Sequence, residues 1–291
     1  MPQVGFIGLG DMGGPIATHL IDAGIDVTAF DLERERIEAL VDAGATPADS
    51  ASDAVRSADV VILSLPGPDA VNAVVDEIES AIESETILVD TTTSTPLTTE
   101  RIAERLNARG ADVIGAPISG GKMGAQDGTL SVMVGGDRSL FEACRPLFET
   151  FATDVFYVGA GPGDGHTAKL LNNYLSYTTL LATSEAVVLG DIAGLNRELL
   201  VDVFNASTGR SSASEEKLPE QILSGDYDTG FPLDLTEKDL RLFTQFGEEC
   251  DAPLMLGSVV RYLVGYARSH QGDDADMTRV YDFVEAMMVR K

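Results

Sequence analysis

Lysine is scarce in this chain. Five occur (Lys122, Lys169, Lys217, Lys238 and Lys291) against fifteen arginines and 47 acidic residues, and the formal net charge is −27. A surface this acidic repels nucleic acid and anionic lipid, which argues against a nucleic-acid reader or a membrane-surface protein. Acid-rich, lysine-poor surfaces suit concentrated salt, where screening suppresses self-repulsion, so a salt-loving source is expected. On this background each lysine inside a motif gains weight. Cysteine is nearly absent. Cys144 and Cys250 stand far apart without metal-ligand spacing, which points to inert thiols in a reducing compartment, the cytoplasm. His19, His166 and His270 form no ligand-spaced cluster, so no metal is expected. No apolar run approaches the ~20 residues of a membrane span. The first residues, Gln3 to Ile7, read as a strand rather than a signal peptide. At 291 residues and 44% apolar content, the chain can form two domains and is too apolar and periodic for a disordered acidic protein.

A short apolar strand, Val4 to Ile7, runs directly into Gly8-Leu9-Gly10-Asp11-Met12-Gly13-Gly14-Pro15, and a helical pattern follows from Ile16 to Ala23. This is G-x-G-x-x-G between a strand and a helix. Gly8 allows a tight turn, Gly10 lets a pyrophosphate approach the backbone, and Gly13 lets helix and strand pack closely. N–H groups at the helix start then face the phosphates. A second strand, Asp26 to Phe30, ends in Asp31, where an acid would accept hydrogen bonds from the adenosine ribose. The same carboxylate repels a 2′-phosphate, so NAD is expected in preference to NADP. The competing reading is a tight turn without ligand and an acid that caps the next helix.

Strands at Val60–Leu65, Thr86–Asp90 and Asp112–Ile114 then alternate with helices at Glu33–Val41, Asp69–Ile82 and Pro96–Arg109. The alternation predicts a doubly wound parallel sheet covered on both faces. Ligands on such sheets lie beyond the carboxyl ends of the strands. The loops to watch are therefore Gly8–Gly13, Ser64–Gly67 with Leu65 and Pro66, Asp90–Pro96, and Gly115–Gly124. In the third, Ser94 or Thr95 can cap a helix that begins at Pro96, or the hydroxyls can meet the nicotinamide side of a cofactor. In the fourth, Ser119 precedes two bare amides at Gly120 and Gly121, which form either an anion-binding concavity for a substrate carboxylate or a flexible turn. Strands at Leu130–Val134 and Val155–Val158 flank a helix at Ser139–Phe151.

After Gly163 the pattern becomes wholly helical, roughly Thr167–Ile192, Arg197–Ser207, Leu235–Glu248, Pro253–Ser269 and Met277–Arg290. The junction reads Gly163-Asp-Gly165-His166-Thr-Ala-Lys169-Leu-Leu-Asn172-Asn173. The glycines loosen the backbone where the helix begins. Lys169 and Asn173, at i and i+4, share one face and can act as a proton donor with an aligning amide. The alternative is a solvated lysine near a helix start, with His166 an ordinary helix-start residue.

Four tracts together resemble the β-hydroxyacid dehydrogenase family: Gly5 to Pro15, Ala116 to Gly121 followed by Gly128-Thr129-Leu130, Gly163 to Asn173, and Leu235-x-x-Lys238-Asp239-Leu240. The resemblance covers nearly the whole chain. It implies an α/β Rossmann domain over 1–162 joined by a long helix to an all-α domain over 163–291, which builds homodimers or homotetramers. It implies Lys169 and Asn173 as catalytic residues and Ser119, Gly120 and Gly121 as the carboxylate site. Cofactor contacts would come from Gly8 to Gly13, Asp31, Leu65, Pro66 and Thr93, with Lys238 closing over the cofactor. Two positions depart from the pattern. Gly115 stands where the family often has Asp, and Lys122 replaces a residue that is frequently small or apolar. Lys122 would either read a second anionic group of the substrate or face solvent.

The reaction so implied is reversible, NAD-dependent oxidation of a 3-hydroxy acid to the semialdehyde, with 3-hydroxyisobutyrate the leading substrate. Reductases of tartronate, succinic or sulfonated semialdehydes are the alternatives, and a non-catalytic nucleotide-binding regulator is a remote one. Imine reductases share the architecture but usually replace the lysine, so Lys169 argues against that branch.

Overall fold

Short strands, most of them largely buried, build the first part of the chain. They are β1 (Val4–Ile7), β2 (Val27–Phe30), β3 (Thr46–Pro47), β4 (Val60–Leu63), β5 (Ile87–Asp90) and β6 (Asp112–Gly115). The computed structural model describes residues 2–289. These six strands lie parallel in the order β3-β2-β1-β4-β5-β6. Successive side chains point to opposite faces. Val4, Phe6, Val60, Ile62 and Val89 enter one core, and Ile7, Val61, Leu63 and Leu88 enter the other. The first core is closed by helices α1 (Gly13–Asp22) and α2 (Arg34–Asp42), the second by α3 (Ala51–Val55), α4 (Pro68–Ile78) and α5 (Pro96–Asn107). Burial on both faces is why β1, β4 and β5 read as continuous apolar runs.

The sheet departs from the all-parallel expectation after β6. β7 (Ile118–Ser119), α6 (Gly121–Asp127) and β8 (Leu130–Gly135) follow, and β8 runs antiparallel to both β6 and β7. Its register is continuous from the Gly115–Gly135 pair to the Ser119–Ser131 pair, so β7 prolongs β6 past Ala116 and Pro117. The cause is length. A helix rises about 1.5 Å per residue, so α6 is roughly 10 Å long, too short to carry the chain back to the start of a parallel strand. The next helix, α7 (Arg138–Phe148), is longer, and β9 (Ala152–Gly159) returns parallel to β8.

Helix α8 (Asp164–Ile192) begins in the first of two compact units and runs into the second, the division falling after Lys169. The second unit comprises the rest of α8, α9 (Arg197–Asn205), a π-helix (Ala213–Leu223), α10 (Leu233–Glu249), α11 (Gly257–Gln271) and α12 (Val280–Met288). Arg290, the end of the expected last helix, lies outside the described residues. The π-helix went unforeseen; Pro219 within it has no N–H to donate to an α-helical ladder. Among the described residues no helix is long and apolar enough to cross a membrane.

The start of α8 corrects the reading of its glycines. Gly163 and Gly165 do not have positive φ, so conformational freedom is not their role. A β-carbon at Gly165 would overlap the carbonyl oxygens of Met133 and Gly115, and one at Gly163 would meet Pro96 at 2.8 Å. The glycines let the first turn of α8 sit directly on the strand ends. Gly115 is explained in the same way, because a β-carbon there would lie 2.7 Å from the His166 ring. His166 is fully buried, with Nε2 3.6 Å from Oδ2 of buried Asp90, the residue paired with Gly115 in the sheet.

Burial pushes the Asp90 carboxyl up to about 7 and the His166 imidazole down to about 3. Relative to an unfolded value of 3.8, Asp90 contributes stability that is full below that pH and is lost as pH rises through about 7. His166 has the opposite sign. Its contribution is full above 6.5 and is lost as pH falls towards about 3. Between about pH 4 and 6.5 the two oppose one another. Asp90→Asn removes the first and keeps an acceptor for the Thr92 amide. The stability of this variant should therefore rise more steeply over that range than that of the wild type in urea unfolding. Parallel pH curves would show that the pair does not titrate in this way.

Candidate active site

The glycine turn after β1 is built for close approach. Gly8 has φ +97°, and a β-carbon at Gly13 would overlap the Gly8 carbonyl oxygen. At Gly10 the only atom within 4 Å of such a carbon is the end of the Arg36 guanidinium, so the backbone there is open to a phosphate. Asp31 follows β2 and reaches into the turn, where its Oδ2 accepts the Leu9 N–H at 2.6 Å and its Oδ1 accepts the Glu33 N–H at 2.8 Å. The acid thus holds the turn itself, beyond the ribose role anticipated for it. Arg36 was not foreseen. It lies 3.7 Å from Asp31 and 2.8 Å from Glu33, and the visible signal was a cation in the helix that follows the acid. Met12 packs against the core, while Asp11 is exposed and pairs with Lys122 at 3.3 Å. An open glycine turn and an acid at the next strand end fit a dinucleotide.

The hydroxyl-rich tract after β5 divides its work. Thr91 donates to the Leu63 carbonyl at 2.7 Å, Thr92 accepts the Leu65 N–H at 3.1 Å, and Thr95 caps α5 by accepting the Thr98 N–H. These bonds tie the Leu65–Pro66 loop to the Thr91–Thr95 loop. Among the described residues nothing bonds the Thr93 hydroxyl, which is half-buried. In the carboxylate candidate, Ser119 ends β7, and Gly120 and Gly121 have φ of +130° and +65°. Both glycines are exposed, and nothing lies within 4 Å of a β-carbon built on Gly121. A turn of this kind, without side chains over its amides, lets an anion approach the backbone. Lys122 begins beside them, with its ammonium on the Asp11 carboxylate of the glycine turn.

On α8, Lys169 and Asn173 are both buried, one turn apart on one face. In the second unit Asn173 donates to Asp239 Oδ2 at 2.7 Å, and the Tyr177 hydroxyl donates to the same oxygen at 3.0 Å. The Lys238 ammonium lies 3.1 Å from Asp239 Oδ1. Burial, then the Asp239 charge, pushes the Tyr177 hydroxyl far up, so it remains a donor. Asp239 was missed as a site residue, although it adjoins Lys238 in a quoted motif. Nothing in a single sequence says that an acid in mid-helix is buried.

The chain is similar to known proteins over nearly its whole length. Residues 3–159 match the NAD binding domain of 6-phosphogluconate dehydrogenase, and residues 163–284 match the NAD-binding domain of NADP-dependent 3-hydroxyisobutyrate dehydrogenase. The chain is 34% identical to 2-(hydroxymethyl)glutarate dehydrogenase of Eubacterium barkeri, over 98% of this chain and 95% of that one. It is 37% identical to the NAD-dependent L-serine dehydrogenase of Pseudomonas aeruginosa, over 89% and 90% of the two chains. Among solved structures, 3-hydroxyisobutyrate dehydrogenase of Mycobacterium tuberculosis with L-serine superposes with a TM-score of 0.92 at 30% identity, covering 98% of this chain and 99% of that one. The chain therefore belongs to the β-hydroxyacid dehydrogenase family and is an NAD(P)-binding oxidoreductase acting on CH–OH groups.

Proposed function

We propose that the protein catalyses reversible, NAD-dependent oxidation of a short 3-hydroxy acid to its semialdehyde, with Lys169 as general acid–base. The observation that carries this reading is the buried lysine on the α8 face that also bears Asn173, itself held by Asp239. The open turn at Gly10 would hold the cofactor pyrophosphate and Asp31 the adenosine ribose, while Thr93, Leu65, Pro66 and Lys238 complete the cofactor contacts. When bound, the nicotinamide supplies the two-electron acceptor. Ser119 and the amides of Gly120 and Gly121 would bind the substrate carboxylate and so orient the carbinol. Lys169 takes the hydroxyl proton during oxidation and returns it to the forming alkoxide during reduction. Asn173, fixed by Asp239, holds its side of the helix in register with the lysine.

The substrate pair that brackets the class is 3-hydroxyisobutyrate and 2-(hydroxymethyl)glutarate, the second being the first extended by an arm that ends in another carboxylate. Lys169→Ala should lower turnover by at least about 100-fold with NAD affinity nearly intact, measured by absorbance at 340 nm and by cofactor titration. Undiminished turnover would remove the lysine from the reaction. Asp31→Ala should weaken NAD by about tenfold and shift preference towards NADP, because the carboxylate that would repel a 2′-phosphate is removed while Arg36 stays beside the turn. A variant with unaltered NAD preference would assign that preference elsewhere.

Two wider properties belong to the same proposal. The charge of −27 supports salt adaptation. The melting temperature should rise between about 0.1 and 2 M KCl as screening shortens from roughly 10 Å to below 3 Å, and a flat response would count against adaptation. Leu189, Ile192, Leu195, Leu199 and Val203 are exposed apolar side chains on the end of α8, the turn after it and α9, which supports a homodimer or homotetramer built through the helical unit. Light scattering on the eluting protein should give a multiple of the 30.8 kDa chain, and a monomer would overturn this.

A further inference from the structure

One partly buried cation is used by nothing described so far. Lys217 lies on the π-helix with its ammonium 3.2 Å from Ser176 Oγ and 3.1 Å from Ser212 Oγ. Burial lowers its proton affinity, and the only charge bearing on it is that of Glu216, its exposed neighbour in sequence. Lys122 and Lys238 each meet a carboxylate, whereas no carboxylate lies within ion-pair distance of Lys217 among the described residues. In a chain with 47 acidic residues, an ammonium withdrawn from water and given only two neutral acceptors is costly to keep.

Its surroundings are arranged to donate. An ammonium has three N–H groups, and two are taken by the serine oxygens. Each serine accepts through a lone pair, so its own hydroxyl hydrogen is left to give. One N–H and two O–H donors thus gather around a single positive charge, which is the complement of a carboxylate or sulfonate. The location is equally specific. Ser176 follows Asn173 by three residues and Lys169 by seven, so all three lie on one face of α8. Along the axis Ser176 is about 4.5 Å from Asn173 and about 10 Å from Lys169. A molecule with its carbinol at Lys169 and a chain extended along this face of α8 runs towards Ser176, the residue Lys217 contacts.

We propose that Lys217, Ser176 and Ser212 form an anion subsite for a second carboxylate or sulfonate at the far end of the substrate, which makes the protein selective for dianionic 3-hydroxy acids. This rests on the dehydrogenase reaction proposed above and narrows its substrate class. Lys217 acts as a specificity residue and takes no part in proton transfer.

The test uses Lys217→Met, which keeps the length of the side chain and removes a partly buried charge, so folding is preserved and can be checked by thermal melting. In the wild type, kcat/KM should favour the dicarboxylate of the assay pair over the monocarboxylate. The variant should reduce that ratio by about tenfold or more, and Lys217→Arg should retain part of it. Replacing the distal carboxylate by a sulfonate should preserve the dependence on Lys217. Calorimetric titration with glutarate and butyrate gives a readout free of turnover: the wild type should bind glutarate at least about tenfold more tightly than butyrate, and Lys217→Met should abolish the difference. Equal losses on both substrates, an unaltered ratio, or glutarate binding indifferent to the substitution would each overturn the subsite. If neither alcohol is oxidised while glutarate still binds through Lys217, the dehydrogenase reading fails and the subsite stands.

Discussion

The contact on which the candidate site depends is the seating of the first turn of α8 on the strand ends. Gly165 lies where any side chain would strike the carbonyls of Met133 and Gly115, and His166 fills the space over Gly115 beside Asp90. With the turn seated on backbone, its rotation about the helix axis is set. Lys169, one turn later, inherits its direction from that packing. A side chain at 115, 163 or 165 would lift the turn and re-aim the lysine. The departure from the family pattern at Gly115 is thus a steric exchange: the imidazole occupies the volume, and the neighbouring strand supplies the acid.

Two carboxylates, Asp31 partly buried and Asp239 buried, do comparable work, one in each unit. Asp31 accepts the Leu9 amide and so couples the cofactor turn to the end of β2. Asp239 accepts from Asn173 and Tyr177 and pairs with Lys238, coupling α8 to α10. A buried carboxylate left unpaired is expensive, whereas one met by several donors defines a geometry that few rearrangements preserve. Each acid converts a flexible feature, a glycine turn or a long amide side chain, into a fixed one.

The same economy of charge makes the lysines informative. Lys122 joins the carboxylate loop to the cofactor turn through Asp11, an exposed pair whose own contribution to stability is small. Its place in the sequence suggested a reader of a second anion, and its ammonium is instead engaged by an acid. Lys217, which no motif marked, combines partial burial with neutral partners and is the better candidate for that role.

What the sequence determined by itself was local and periodic. The glycine turn, five of the six parallel strands up to Gly115 (β3 at Thr46–Pro47 was not among them), the switch to helices after Gly163 and the i, i+4 pairing of Lys169 with Asn173 follow from hydrophobic periodicity and the special geometry of glycine, which act over a few residues. The antiparallel β8, the π-helix around Pro219, the burial of Asp90, His166 and Asp239, and the partners of Lys122 and Lys217 were decided only by the tertiary structure. They depend on which distant segments meet: a helix too short to return the chain, a ring filling the space over a glycine, an acid enclosed by helices far apart in sequence. Periodicity identifies the side of an element that turns inward, but the charges and volumes it meets there are set by the packing of the other elements.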